Sequence, residues 1–304
     1  MSETALGQVS GGHRSLLLRS ERASRRARVD AFWRAVLLLT VVVALIPLAA
    51  ILGVTIYRGA GAINLGFLIE NPPFSPGQEG GGYAPAIFGS IYMTGLAILM
   101  AVPLGILAAV FLVEYKRSRL AGPVRFFTDV MTGVPSVFVG LFIFSSLVVD
   151  ADLFFGTVPG AAALAVLMLP IMVRSAEEVL RLVPQDLRNG AFGLGLRRWQ
   201  MITRVVLPAA APGLATGSML AVARGMGETA PLLFTALGAR QIVTSLTGTP
   251  QGALPLQVLD EGRQALPAAI ERAWAGSLTL MAIVLLFTFA ARFVARRGNA
   301  TSLS

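Results

Sequence analysis

The sequence predicts an all-α membrane protein, a bundle of six helical spans, and three observations carry that prediction. The 304 residues have a mean hydropathy of +0.72, with 55% hydrophobic and only 13% charged residues, a composition found among multi-span membrane proteins. The apolar residues are gathered into long runs separated by shorter polar segments. The basic residues fall mostly in alternate polar segments, as the positive-inside rule expects of a spanning chain.

Residues 1–30 are polar and carry Arg14, Arg19, Arg22, Arg25, Arg26 and Arg28, so a disordered or surface-lying basic tail is expected. That tail is too long and too charged for a secretory n-region, and no cleavage is expected. Span 1 covers about 32–57 and carries no charge from Ala35 to Tyr57, enough to cross a hydrocarbon core of roughly 30 Å. In the outer loop 58–83, Pro72, Pro73 and Pro76 forbid a regular helix. Span 2 covers about 84–113, with a kink expected at Pro103, and a short basic loop follows over 114–125. Span 3 covers about 130–149, its start broken by Gly133-Val134-Pro135-Ser136 and its end followed by Asp150 and Asp152. Span 4 starts near Leu153 or Gly160, reaches Val173 and continues as helix through Leu182. Span 5 covers about 205–237, with Pro208 in its first turn and Arg224 and Glu228 inside it. A second outer loop, 238–272, carries turn signals at Gly248, Pro250, Pro255 and Pro267. Span 6 covers about 274–291 and is ended by Arg292, Arg296 and Arg297. The chain is thus divided into a tail (1–30), a transmembrane domain (31–298, with a polar loop at about 183–208) and a short C-terminal tail (299–304).

Counting charges orients the bundle. The N-terminal tail, the 114–125 loop, the 174–204 region and the C-terminus hold 20 of the 25 basic residues, against Arg58, Arg240, Arg263 and Arg272 on the other side. Both termini are therefore expected in the cytoplasm. The formal charge of +9 does not indicate nucleic acid, because the basic residues cluster at the ends of apolar spans. With no cysteine, one histidine (His13) and one lysine (Lys116, preceded by Tyr115), the chain offers no thiol nucleophile, no His-based acid–base or zinc chemistry and no Gly-Lys phosphate loop. Neither catalysis nor a metal site is expected, and any ATP must be bound by another chain.

Three polar features remain to be explained. The stretch 189–208, Asn-Gly-Ala-Phe-Gly-Leu-Gly-Leu-Arg-Arg-Trp-Gln-Met-Ile-Thr-Arg-Val-Val-Leu-Pro, is polar and helix-prone between two spans; it is either a docking helix or an amphipathic helix lying on lipid. Arg197, Arg198 and Arg204 are expected on its aqueous side, with Trp199, Met201 and Ile202 making apolar contacts. Second, Arg224 lies sixteen residues beyond Pro208, roughly 24 Å along a helix and deep in the bilayer, where a charge costs about 2.5–3.5 kcal/mol on insertion scales. Glu228, at i,i+4, falls on the same helix face and can pair with it, so the two form either an ion site or a purely architectural pair. Third, Arg174 in span 4 either lines a path or snorkels to the interface. Glu177 and Glu178 are expected to be solvated or paired with Arg181.

Asn189-Gly190-Ala191, Gly195, Val205 and Leu207-Pro208 have the spacing of the cytoplasmic loop signature of ABC-importer permeases, which they resemble. Asn189 replaces that signature's acid, Gly190 an alanine and Val205 an isoleucine. The run 81–95 (GGYAPAIFGSIYMTG), the run 132–142 (TGVPSVFVGLF), the region 167–217 and Ala223-Arg224-Gly225-Met226-Gly227-Glu228-Thr229-Ala230-Pro231 together look like the PstA-type permeases of phosphate-specific ABC importers. The resemblance implies a type I importer fold in which the loop between spans 4 and 5 forms a coupling helix that docks on an ATPase. It implies pairing with a PstC-like permease above a PstB-like ATPase dimer that binds ATP and Mg, and delivery of substrate by a PstS-like phosphate-binding protein. It associates Arg174, Arg224 and Glu228 with phosphate passage. Guanidinium groups suit tetrahedral oxyanions through paired hydrogen bonds, and a neighbouring carboxylate keeps the net attraction modest enough for release. A permease for another oxyanion, sulfate or molybdate, and an autonomous anion transporter are the alternatives; no inverted repeat of broken spans favours the latter.

Overall fold

The computed structural model describes residues 6–300, and side chains over 26–290 together with Phe293. Residues 1–5 and 301–304 of the expected tails, and the side chains of Arg292, Arg296 and Arg297, lie outside what is described. The chain divides into two compact units, 1–56 and 57–304.

The first unit is most of helix α1 (Leu6–Gly59). Residues from Leu6 to Asp30, in the tail expected to be disordered or surface-lying, are helical rather than disordered. They include six arginines and four leucines, both good helix formers, and extending an existing helix adds hydrogen bonds without a new nucleus.

The second unit holds eleven further helices among the described residues: α2 (Leu65–Ile69), α3 (Ala84–Glu114), α4 (Ala121–Gly133), α5 (Ser136–Ile143), α6 (Thr157–Leu182), α7 (Gln185–Gly193), α8 (Arg198–Met201), α9 (Leu207–Met226), α10 (Ala230–Thr235), α11 (Leu254–Gly262) and α12 (Pro267–Ala300). Wider π turns extend α5 over Phe144–Asp150 and join α8 to α9 over Ile202–Val206. Among the described residues, five helical stretches are long and apolar enough to cross a membrane: Arg26–Ala62, Ala84–Glu114, Thr157–Leu182, Arg198–Met226 and Pro267–Ala290. A sixth span exists if the bent pair Ala121–Gly133 and Ser136–Asp150 is counted as one.

Four boundaries differ from expectation. Span 3 begins inside the expected basic loop, at Ala121 rather than near 130, while its break falls where the Gly133-Val134-Pro135-Ser136 run puts it: α4 and α5 meet at 106°, because Pro135 cannot continue α4 and biases Val134 to the extended backbone it adopts. Span 5 starts at Arg198 rather than near Pro208. Pro208 has no N–H to offer the preceding turn, and the π turn just before it absorbs the mismatch. Span 5 also ends early, at Met226, with Glu228 and Thr229 in a break before α10. The second outer loop contains α11 and the first turns of α12.

Helix α6 is the centre of this unit. Leu164, Met168, Met172, Ala176 and Leu180 are almost fully buried and pack with Met93, Ala97 and Ala101 of α3 and Leu214, Ala221 and Val222 of α9. Small residues set the spacing, as is usual between helices in lipid. A Cβ on Gly217 would lie 2.7 Å from Ser175 Oγ, and one on Gly225 2.7 Å from Met168 Sδ. The N-terminus of α6 is tied to the following loop: the Thr157 hydroxyl donates to Ser245 O at 2.9 Å and accepts from Gln251 Nε2 at 2.9 Å, and Val158 N–H donates to Leu246 O at 2.9 Å.

At the same end, Tyr83 donates to Glu261 Oε2 at 2.8 Å and Arg272 Nε to Glu261 Oε1 at 3.4 Å. Arg272 also donates to the carbonyls of Pro76 and Gln78 at 2.8 and 2.7 Å, which folds the proline-rich loop onto α11 and α12. Burial, then the adjacent Glu261 carboxylate, push the Tyr83 phenol well above its ordinary value, so it remains the donor.

Gly89 and Gly95 both lie on α3 and give opposite expectations. A Cβ at Gly89 would collide with the backbone carbonyl of Gly252, while one at Gly95 meets nothing within 4 Å. Gly89→Ala is expected to lower stability by about 1–3 kcal/mol as overpacking against backbone. Gly95→Ala should be neutral or stabilising by up to about 1 kcal/mol. Thermal unfolding in detergent of the two variants checks the contrast.

Candidate translocation site and polar loop

Arg224 occupies the last turn of α9. The helix closes there with Gly227 N–H donating to Arg224 O at 3.1 Å and Glu228 N–H to Gly225 O at 3.2 Å. Arg224 and Glu228 therefore do not share a continuous helix, yet they pair, with Nε 3.4 Å from Glu228 Oε1. The arginine side chain is 62% exposed and the carboxylate 14%. The pair engages the Nε edge of the guanidinium, and among the described residues the terminal nitrogens make no hydrogen bond or ion pair. They remain a planar donor face suited to an oxyanion.

Arg174 is neither free nor simply snorkelling. It pairs closely with Asp129 of α4, and its NH1 lies 3.8 Å from Glu177 Oε2. Glu177 is the hub: it is nearly buried, and its Oε1 also accepts from Arg125 NH2 at 2.6 Å and Arg181 NH2 at 2.5 Å. The expected partnership with Arg181 is present, but Glu177 is not solvated. Arg125, Asp129 and the central role of Glu177 were missed by sequence reasoning. The i,i+4 spacing of Arg125 and Asp129, matching that of Glu177 and Arg181, is the signal that points to a charged ladder between two helices.

Close approaches of Gly213 to Val179, Gly217 to Ser175 and Gly225 to Met168 fix the antiparallel register of α6 and α9. Arg174 lies opposite Ser218, six positions before Arg224, so the two arginines are separated by roughly 9 Å along the helix axes. No hydrogen bond or ion pair joins them.

The polar loop is a helix–turn–helix. Asn189, Gly190 and Ala191 lie on α7, with Asn189 exposed and Ala191 buried. Asn189 Oδ1 accepts from Gln185 Nε2 at 3.5 Å. Gly195 has φ +78°, its N–H donates to Phe192 O at 2.9 Å, and Leu196 N–H donates to Ala191 O at 3.1 Å. This is a Schellman ending, and the left-handed backbone explains the glycine. Gln200 Oε1 accepts from Arg197 N–H at 2.9 Å at the start of α8. Arg197, Arg198, Trp199 and Arg204 are exposed, while Met201 and Ile202 enter the core. Trp199 therefore does not share their apolar contacts. Arg198 lies 5.1 Å over the Tyr115 ring.

Arg188, which the sequence did not single out, anchors this loop. It is buried, pairs with Glu114 at 3.0 Å, and donates to the carbonyls of Val183 and, at 2.9 Å, Leu180. These bonds satisfy the C-terminal carbonyls of α6 while fixing α7 to the end of α3.

Residues 101–299 match the family described as binding-protein-dependent transport system inner membrane component. The chain belongs to that family. Its relatives include phosphate transport system permease protein PstA 1 of Mycobacterium tuberculosis (strain CDC 1551 / Oshkosh), 39% identical over 261 residues, 84% of this chain and 86% of that protein. The PstA protein of Yersinia pestis is 39% identical over 241 residues, covering 79% and 81%. Among solved structures, the MetNI methionine ABC transporter in an inward-facing conformation matches with TM-score 0.59 at 18% identity, over 71% of this chain and 95% of that one. A bacterial alginate ABC transporter, in complex with its alginate-bound periplasmic protein, matches with TM-score 0.60 at 17% identity, over 89% and 96%. The architecture is that of type I ABC importer permeases.

Arg188→Met should strand the Glu114 carboxylate, whose side chain is 8% exposed, and is expected to cost about 3–5 kcal/mol. Adding Glu114→Gln should recover part of the loss. Membrane abundance and melting temperature of the single and double variants measure both effects.

Proposed function

We propose that the chain is the membrane-spanning permease subunit of an ATP-driven inorganic phosphate importer. It forms half of the translocation path and couples that path to a separate ATPase. The observation that carries this reading is 39% identity to a phosphate transport permease across 84% of the chain, with an arginine inside a span whose terminal nitrogens are open to an oxyanion. Arg224 takes phosphate oxygens through paired hydrogen bonds, and Glu228 limits how tightly the ion is held. Arg174, already committed to Asp129 and Glu177, acts as a second positive level nearer the polar loop rather than as a partner of Arg224.

The loop carrying Asn189, Gly190, Ala191, Gly195, Arg197, Arg198 and Trp199 docks on the ATPase in this reading. A PstC-like permease completes the path, a PstB-like ATPase dimer holds ATP and Mg, and a PstS-like protein delivers phosphate. The subunit itself catalyses nothing. It resides in the bacterial plasma membrane with both termini cytoplasmic, the orientation supported by the 20 basic residues gathered on one side.

Phosphate uptake and membrane abundance of Arg224→Gln, Glu228→Gln and the double variant test the substrate role. The double variant removes both charges, so it is expected to assemble and yet fail to transport. Wild-type uptake by the double variant would reduce the pair to architecture, and uptake of sulfate in place of phosphate would reassign the substrate.

Coupling is tested separately. Gly195→Val forces a β-branched residue into a left-handed backbone at a cost of about 1–2 kcal/mol, and Trp199→Asp places a charge on the exposed face of α8. Both are expected to leave ATP hydrolysis running while phosphate transport falls. Transport at the wild-type rate in both variants would remove the docking role.

A further inference from the structure

A cavity of about 550 Å³ opens beside the polar loop, between the end of α3, the start of α4 and helices α6 and α7. Its wall carries Lys116, Arg125, Arg181, Arg188 and Arg198 against a single carboxylate, Glu114. Glu114 is taken by Arg188, and Glu177, just behind the wall, is shared by Arg125 and Arg181. Counting both carboxylates, five cations meet two anions and three positive charges remain. Among the described residues, Lys116 makes no ion pair, Arg198 meets a carbonyl and an aromatic ring but no carboxylate, and Arg125 Nε is a buried donor with no acceptor. A wall with surplus N–H groups and unbalanced positive charge calls for an anion rich in acceptor oxygens.

The surroundings say which anion. Arg125 lies on α4, whose next two residues, Phe126 and Phe127, are each 64% exposed, as is Leu120 just before the helix. α4 is bent 106° from the α5 stretch that continues the span, so where that stretch crosses the bilayer α4 lies nearer the surface plane than the normal. Apolar side chains in that plane next to a basic cavity match a phosphodiester with acyl chains attached. Basic pockets between spans hold anionic headgroups in the same way.

We infer that this cavity binds the phosphate of an anionic phospholipid from the leaflet at the polar-loop end. The lipid's acyl chains lie along Leu120, Phe126 and Phe127, and its phosphate bridges Lys116, in the turn after α3, and Arg181 of α6. The site is separate from Arg224 and requires no particular transported substrate.

Lipid retention by the intact importer, purified from membranes and analysed by native mass spectrometry, tests this. Lys116→Gln with Arg181→Gln removes two cavity charges, and Arg117→Gln with Arg119→Gln removes two from the same region without touching the wall. The cavity variant is expected to bind phosphatidylglycerol roughly 30-fold more weakly, two cations near the surface being lost, while the control variant and phosphatidylcholine binding stay unchanged. Equal loss in both variants would reduce the effect to general surface charge, and no loss in either would remove the site. Displacement of phosphatidylglycerol by millimolar inorganic phosphate, abolished in the cavity variant, would assign the cavity to free phosphate instead and overturn the lipid assignment.

Discussion

Two helices meeting in a bilayer gain nothing by hiding apolar surface, because lipid tails are as apolar as leucine. The long helices that pack on α6 must therefore hold one another by closeness of fit, and this constraint governs the rest of the structure. The glycines of α9 fit against Val179, Ser175 and Met168 of α6, and alanines and methionines fill the seam between α6 and α3. The register so fixed decides where every charge on α6 and α9 comes to lie.

Charges then appear at two levels with different characters. At the level of Arg174, three arginines share Asp129 and Glu177, so the polar groups are mutually engaged and α4 is locked across α6. At the level of Arg224, one arginine leans on one carboxylate through Nε alone. The first arrangement suits a fixed joint and the second a site that exchanges partners. Both lie beside the packed seam, so charge placement and scaffold cannot be separated residue by residue.

Much of this was legible in the sequence. Apolar run lengths gave the spans, proline gave the break before Ser136, and the spacing of Asn189-Gly190-Ala191 to Gly195 gave a helical loop whose glycine has the required left-handed backbone. What escaped depended on residues distant in the chain. Arg188 with Glu114, 74 positions apart, and Tyr83 with Glu261, 178 apart, have no periodicity to announce them, because folding alone brings them together. The break at Gly227 escaped for another reason: the apolar run continues through it, and run length reports hydrophobicity rather than backbone direction.

From Arg198 to Met226 the chain is helical without interruption, through the π turn before Pro208. Trp199 at one end and Arg224 at the other thus ride on a single rod, 25 residues apart and roughly 37 Å along its axis. Such a rod acts as a lever: tilting it by about 5° at the loop sweeps the far end through about 3 Å, the length of one hydrogen bond. Force applied where Trp199 is exposed reaches the guanidinium of Arg224 without crossing a joint, and the first joint it meets is the break that holds Glu228.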